Sequence, residues 1–154
     1  MERKTKVEAP EQSQDLFISR YFELPVESLF KAFVVPELVA QWMGTKVVKL
    51  DCSVNGQYLF ETTAQAGTVF ELRGVIHDFL SNRKIVRTFE MSPTPFGVQL
   101  EVLQFEAITE NTSSLNMHLV YESAEHRQRV LKQGFSQGIN MAHNRIQEIF
   151  NNSK

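Results

Sequence analysis

The sequence predicts an α+β fold in which one curved antiparallel sheet carries its helices on a single face, and three observations carry that expectation. From Thr45 to Tyr121 the apolar residues come in short alternating runs separated by turn residues, the mark of successive hairpins. Ahead of them lie one strand and two short helical segments. Behind them, Ala124 to Phe150 holds the one long helical periodicity, with Leu131, Phe135, Ile139, Ala142, Ile146, Ile149 and Phe150 on one stripe. Such a helix, about 40 Å long at 1.5 Å per residue, needs a broad apolar surface to lie on, and a bent sheet supplies one.

The first 14 residues are charged and polar around Pro10, a composition expected to stay disordered. Residues 15–152 are expected to form one domain. Leu16, Ile18, Phe22 and Leu24 alternate with polar neighbours in a first strand, and Arg20 shares their parity. Pro25 then opens a helix over Val26 to Val34, and Pro36 opens a second through Trp42 and Met43 that Gly44 closes. Strands follow at Lys46 to Cys52, at Gln57 to Thr63 after the Asn55-Gly56 turn, at Val69 to Leu80, at Lys84 to Met91, at Val98 to Ile108 and at Leu115 to Tyr121. That makes seven strands in all. Apolar parity slips near His77 and Asp78 and again between Val102 and Leu103, so a bulge is expected at each place. The loop from Ser92 through Pro93, Thr94, Pro95 and Phe96 to Gly97 differs in composition from the other turns, and Phe96 makes it a candidate lid.

In the last helix two glycines interrupt the pattern. Gly138 falls inside the apolar stripe and Gly134 at its edge, and a mid-helix glycine costs about 1 kcal/mol against alanine. Three explanations stand: a strand backbone passes close by, the helix breaks near Gly134, or the missing side chains border a void.

Function is bounded first by what is missing. A net charge of −2 with mixed signs lacks the basic excess that nucleic acids require. The charged amino terminus and short apolar runs give no secretion signal or membrane span, so a cytoplasmic protein is expected. Cys52 is a lone cysteine, and His77, His118, His126 and His143 share no metal-ligand spacing, so neither a disulfide, a metal nor a cofactor is expected. No glycine loop precedes a helix in the phosphate-cradling manner. With no inward carboxylate or histidine read from the parities, no catalysis is expected.

What remains is an aromatic interior, with phenylalanine occurring 12 times. Tyr58, Phe60, Phe70, Leu72, Ile76, Phe89, Phe105, Met117 and Leu119 of the sheet, together with Trp42, would face Phe135, Gly138, Ile139 and Ala142 of the helix. These residues either form a plain core or, near Gly138, line a ligand cavity. Arg20, Tyr58, Thr62, Arg87 and Tyr121 share the inward parity; they either anchor the polar end of an amphipathic ligand or reach the rim and pair with Glu101 and Glu106.

The stretch Ile18-Ser-Arg20-Tyr-Phe22-Glu-Leu24-Pro25-Val-Glu-Ser-Leu29-Phe30-Lys-Ala32-Phe-Val-Val-Pro36-Glu-Leu38-Val-Ala-Gln41-Trp42 resembles the opening of the START-like, helix-grip (SRPBCC) superfamily. More narrowly, it is similar to the single-domain relatives of the activator of heat-shock-protein-90 ATPase. The Asn55-Gly56 turn, Gly74 to Phe79 running on to Phe89, and Gly134-Phe135 with Asn144-Arg145-Ile146 extend the likeness over nearly all of the chain after Gln14. Asn55 stands where a second glycine is common, and Phe89 and Phe135 where tryptophan is frequent. The resemblance implies a seven-stranded sheet gripping a carboxy-terminal helix around a hydrophobic cavity. It implies a small hydrophobic ligand, lipid- or polyketide-like, as the first partner and a heat-shock chaperone as the alternative. A cyclase or hydrolase of the same superfamily is the poorest fit, and a homodimer is left open.

Overall fold

The fold, taken from a computed structural model, is described for residues 4–94 and 96–152; Met1 to Arg3 of the amino-terminal tail and Pro95 of the 92–97 loop lie outside the described residues. In chain order the elements are β1 (Lys6–Glu8), β2 (Asp15–Phe22), α1 (Val26–Val34), α2 (Pro36–Met43), β3 (Lys46–Leu50), β4 (Gln57–Thr63), β5 (Val69–Leu80), β6 (Lys84–Ser92), β7 (Gln99–Ala107), β8 (Ser113–Val120), α3 (Ala124–Lys132) and α4 (Phe135–Asn151). The strands form one antiparallel sheet in the order β1-β2-β8-β7-β6-β5-β4-β3, so β2 pairs with the last strand, β8, and the chain passes through α1 and α2 to reach β3 at the opposite edge.

The predicted short helices form where their signals stand. Pro25 precedes α1, Pro36 occupies the first turn of α2, and Gly44 closes α2 in the left-handed region at φ 63°. Leu29, Phe30 and Phe33 of α1 bury their side chains, and Phe30 meets the rings of Phe79 and Phe105 edge-on at 5.5 and 5.0 Å. Phe33 meets Phe105 and Trp42 at 5.3 and 5.1 Å, so the α1 half of the sheet is covered by a closely packed aromatic layer.

Two expectations about the sheet are corrected. Among the described residues there are eight strands rather than seven, because the tail expected to be disordered contributes β1, with Val7 opposite Ile18. Three residues are too short to show a period, and their anchorage is long-range: the buried Thr5 receives a bond from Arg20 Nη1 at 3.1 Å and its backbone N–H donates to Asn140 Oδ1 at 3.1 Å. The second correction concerns β7. The bulge near His77 is present, since β5 shifts register on β6 between Ile76 and Asp78, but β7 pairs with β6 and β8 in one unbroken register. Gln99, Glu101, Leu103 and Phe105 therefore all point inward while Leu100, 38% exposed, points out. Arg87 stands opposite Glu101 across the β6–β7 ladder, and that pairing is what lets a carboxylate take an interior position.

The long helix is broken. Gly134, at φ 79°, caps α4 and separates it from α3, whose amino terminus is capped by Ser123 Oγ accepting from His126 N–H at 3.0 Å. A left-handed residue cannot continue a right-handed helix, and glycine adopts that region without a Cβ penalty. Helix α4 is then held along its flanks. Asn140, which lies off the apolar stripe, is buried against Thr5, and Asn144 accepts from Arg20 Nη1 at 2.8 Å. On the other flank Arg145 Nε donates to the Trp42 carbonyl at 2.7 Å.

Candidate functional site

Between the sheet and the amino-terminal half of α4 lies a cavity of about 700 Å³, within the range of small-molecule sites. Phe89 and Met91 of β6 and Met117 and Leu119 of β8 form its floor, Phe135, Ile139 and Ala142 of α4 form its roof, and Phe70 and Trp42 close its sides. Gly138 completes the roof, and a Cβ built on it would meet no atom within 4 Å. Of the explanations for that glycine, close approach of a strand is thus excluded, and the helix break and the void both stand. Exposed Pro93, Gln133, Gly138 and Arg145 mark the mouth, between the 92–97 loop and the α3–α4 break.

The structure divides the residues expected at this site. Trp42, Phe70, Phe89, Met117, Leu119, Phe135, Gly138, Ile139 and Ala142 surround the cavity, as do Arg87 and Tyr121. Tyr58, Phe60, Leu72, Ile76 and Phe105 do not; they are buried in the close-packed core, where α1 fills the space that α4 leaves open elsewhere. Tyr58 uses its hydroxyl on the Thr88 carbonyl at 2.6 Å. Arg20 is no anchor for the cavity either, being spent on Thr5 and Asn144 beside the Phe22 ring. Met91, Phe33, Gln99, Glu101 and His143 join the lining without having been read from the sequence as lining residues. Met91 was within reach, since it continues the Arg87–Phe89 parity along β6. Phe96 lies at the wall with its ring stacked 6.0 Å from that of His126 on α3, which places the candidate lid loop against the helix before the break. The backbone N–H of Val98 fastens the same loop to Glu122 Oε1 at 3.1 Å.

The absence of an inward carboxylate or histidine is also corrected. Arg87 Nε donates to Glu101 Oε1 at 2.9 Å, and Gln99 Nε2 donates to Glu101 Oε2 at 2.8 Å. Burial alone would lower the Arg87 pKa, but the adjoining Glu101 carboxylate more than offsets this, and the guanidinium stays charged above the Tyr58 ring at 5.2 Å. His143 Nδ1 lies 2.9 Å from Thr5 Oγ1, which already accepts from Arg20. Which of the two donates follows the ring tautomer. Burial, reinforced by Arg20, pushes the His143 pKa down to about 3, so the ring is neutral at pH 7. Its Nε2 is closed off and has no partner among the described residues. A carboxylate bound on both oxygens and a histidine this hard to protonate are poor acid–base groups. Burial likewise pushes the half-buried Cys52 thiol up, away from a reactive thiolate. Among the described residues no group of three or more His, Cys, Asp or Glu side chains could hold a metal ion, and no helix is long and apolar enough to cross a membrane.

A sheet that grips a carboxy-terminal helix is the architecture that the sequence resemblance implied. Residues 23–151 match the family described as Activator of Hsp90 ATPase homolog 1-like protein. The chain belongs to that family. No curated protein matches it in sequence. In fold this Activator of Hsp90 ATPase homolog 1-like chain is similar to protein Ms6760 from Mycobacterium smegmatis, at 20% identity over 94% of each chain with a TM-score of 0.83. It is similar also to a Rhodobacter sphaeroides protein, at 18% identity over 96% of this chain and 97% of that one with a TM-score of 0.85. A third is protein NE0264 from Nitrosomonas europaea, at 15% identity over 94% and 98% of the two chains with a TM-score of 0.80. At these identities the likeness is one of fold.

Proposed function

We propose that this protein binds an apolar or amphipathic small molecule between its sheet and α4 and performs no chemistry on it. The observation that carries the reading is the cavity itself: about 700 Å³ walled by aromatic, methionine and aliphatic side chains, beneath a helix whose Gly138 contributes no side chain to fill it. A close-packed interior tolerates few voids larger than a water molecule, so one of this size suits a guest. Arg87, Gln99 and Glu101 bring polar groups together on the floor, while Gln133 and Arg145 stand at the mouth, an arrangement that orients a ligand without reacting with it.

The family's description favours a second reading, a module acting on the ATPase of a heat-shock chaperone. One pair of assays separates the two. Ligand that binds only the folded state at a hundred times its Kd stabilises by about 2.7 kcal/mol. In a chain of this size that raises Tm by roughly 5–11 °C. Trp42, the single tryptophan, lines the cavity and reports occupancy through its fluorescence. The binding reading expects members of an apolar library, lipids and polyaromatic compounds included, to raise Tm and alter Trp42 emission together. A flat response across the library, with faster ATP hydrolysis by the purified chaperone when this protein is added, would install the second reading.

A further inference from the structure

The floor of the cavity carries a polar cluster whose hydrogen bonding is incomplete. Arg87 on β6 and Glu101 on β7 are register partners, Phe89 and Gln99 the next inward pair, and Leu119 of β8 flanks Glu101. Arg87, Glu101 and Gln99 are 8%, 5% and 9% exposed, and all three line a cavity whose remaining walls are mostly apolar. Glu101 uses one oxygen on Arg87 Nε and the other on Gln99 Nε2. Among the described residues, the Arg87 terminal nitrogens and the Gln99 carbonyl oxygen find no partner. The floor thus offers spare donors from a buried guanidinium beside a spare acceptor from an amide. These atoms are not sealed away from the cavity they line, so they take their partners from what fills it.

The charge at this place decides which guest. Glu101 at 2.9 Å already neutralises Arg87, so an ionised carboxylate pressed against the cluster adds an uncompensated negative charge in a low-dielectric site, and an ammonium group meets Arg87. A neutral oxygen meets neither objection. We propose that the cavity takes an apolar molecule ending in one neutral oxygen group, a ketone, phenol or alcohol. That oxygen accepts from an Arg87 terminal N–H, and a hydroxyl proton, where there is one, is donated to Gln99 Oε1. This inference rests on the binding reading above and adds the chemistry of the ligand's head.

Naphthalene, 2-acetylnaphthalene, 2-naphthol and 2-naphthoate share one apolar body and differ only in that head. Isothermal titration at pH 7 is expected to show the ketone and the phenol binding at least about tenfold tighter than naphthalene, the worth of one hydrogen bond to a charged donor. Naphthoate is expected to bind no tighter than naphthalene. Substituting Arg87→Met and Glu101→Met together leaves no buried charge behind, and is expected to bring the affinity for the ketone down to that for naphthalene measured on the same variant. Should that double variant not fold, the infrared carbonyl band of carbon-13-labelled 2-acetylnaphthalene on the unaltered protein decides. A shift to lower wavenumber than in hydrocarbon solvent is the expected result, and an unshifted band overturns the proposal. Equal affinity for all four probes, or tightest binding of naphthoate, overturns the head-group inference and leaves the binding reading standing. No binding of any probe overturns both.

Discussion

Gly138 offers the sharpest perturbation, because its surroundings fix the sign of the effect. It is the fourth residue of α4, its N–H donates to the Gly134 carbonyl at 3.0 Å, and an added Cβ meets nothing within 4 Å. Gly138→Ala therefore gains helix propensity, about 1 kcal/mol, partly by restricting the unfolded chain, and incurs no clash. In a chain of this length that raises Tm by roughly 2–4 °C. Gly138→Leu keeps most of that gain and lays a side chain into the cavity roof between Phe135 and Ala142. It is expected to be at least as stable as the alanine variant and to bind apolar probes more weakly. Urea denaturation gives both stabilities from the midpoints, provided the slopes agree, and titration gives the affinities. Destabilisation of both variants by about 1–3 kcal/mol would be the mark of overpacking and would refute the open space beneath this residue.

Three further outcomes follow from the polar network. Deleting residues 1–14 removes β1, the Thr5 bonds to Arg20, Asn140 and His143, and the Pro10 carbonyl that Arg127 Nη1 holds at 2.6 Å. At about 1 kcal/mol per buried hydrogen bond the loss is about 3 kcal/mol or more, a fall in Tm of at least roughly 6 °C by thermal denaturation. His143 is depressed to about 3 in the folded protein against 6.5 in the unfolded chain, so the unfolded state binds the extra proton and stability falls as pH drops from 6.5 towards 3. Between pH 7 and 5 this one group removes about 2 kcal/mol, and His143→Gln is expected to flatten the urea-midpoint profile by that amount. Glu101→Ala leaves Arg87 charged and buried and is expected to cost about 3–5 kcal/mol, whereas the paired Met substitutions are expected to cost far less in the same denaturation assay.

How much of this was legible in the chain depends on whether the cause was local. Pro25, Pro36 and Gly44 act on their own turns, and α1 and α2 begin and end beside them. The parity break around His77 produced a bulge because Phe79 has an apolar partner, Phe30, waiting on the far side of the slip. The same argument failed in β7, where Leu100 and Val102 look like an inward pair and the inward places belong to Gln99 and Glu101. A register is chosen by both ladders together, and Arg87 on the neighbouring strand makes the polar choice tolerable. For β1 the deciding contacts reach 135 residues along the chain, from Thr5 to Asn140, beyond any local pattern.

Site residues were legible in the same degree. Parity told which side chains face inward but not which of them meet a helix and which meet a void. Phe105 and Phe89 are equivalent by pattern. Phe105 is covered by Phe30 and Phe33 of α1, while Phe89 lines the cavity under α4, a helix tied to the sheet edge through Thr5 and Arg20 on one flank and to α2 through the Trp42 carbonyl on the other. Where the void falls is set by how α1 and α4 share one sheet, a matter of tertiary placement that no periodicity records.

The central claim is a location, and intermolecular nuclear Overhauser effects test it most directly. With carbon-13-labelled protein and unlabelled 2-acetylnaphthalene, bound ligand protons should show transfer to the methyl groups of Met117, Leu119, Ile139 and Ala142, which face one another across the cavity. Transfer to Val48, Leu59, Val75 and Val98, which line a groove on the outer face of the sheet, or no transfer to either set, would contradict the account.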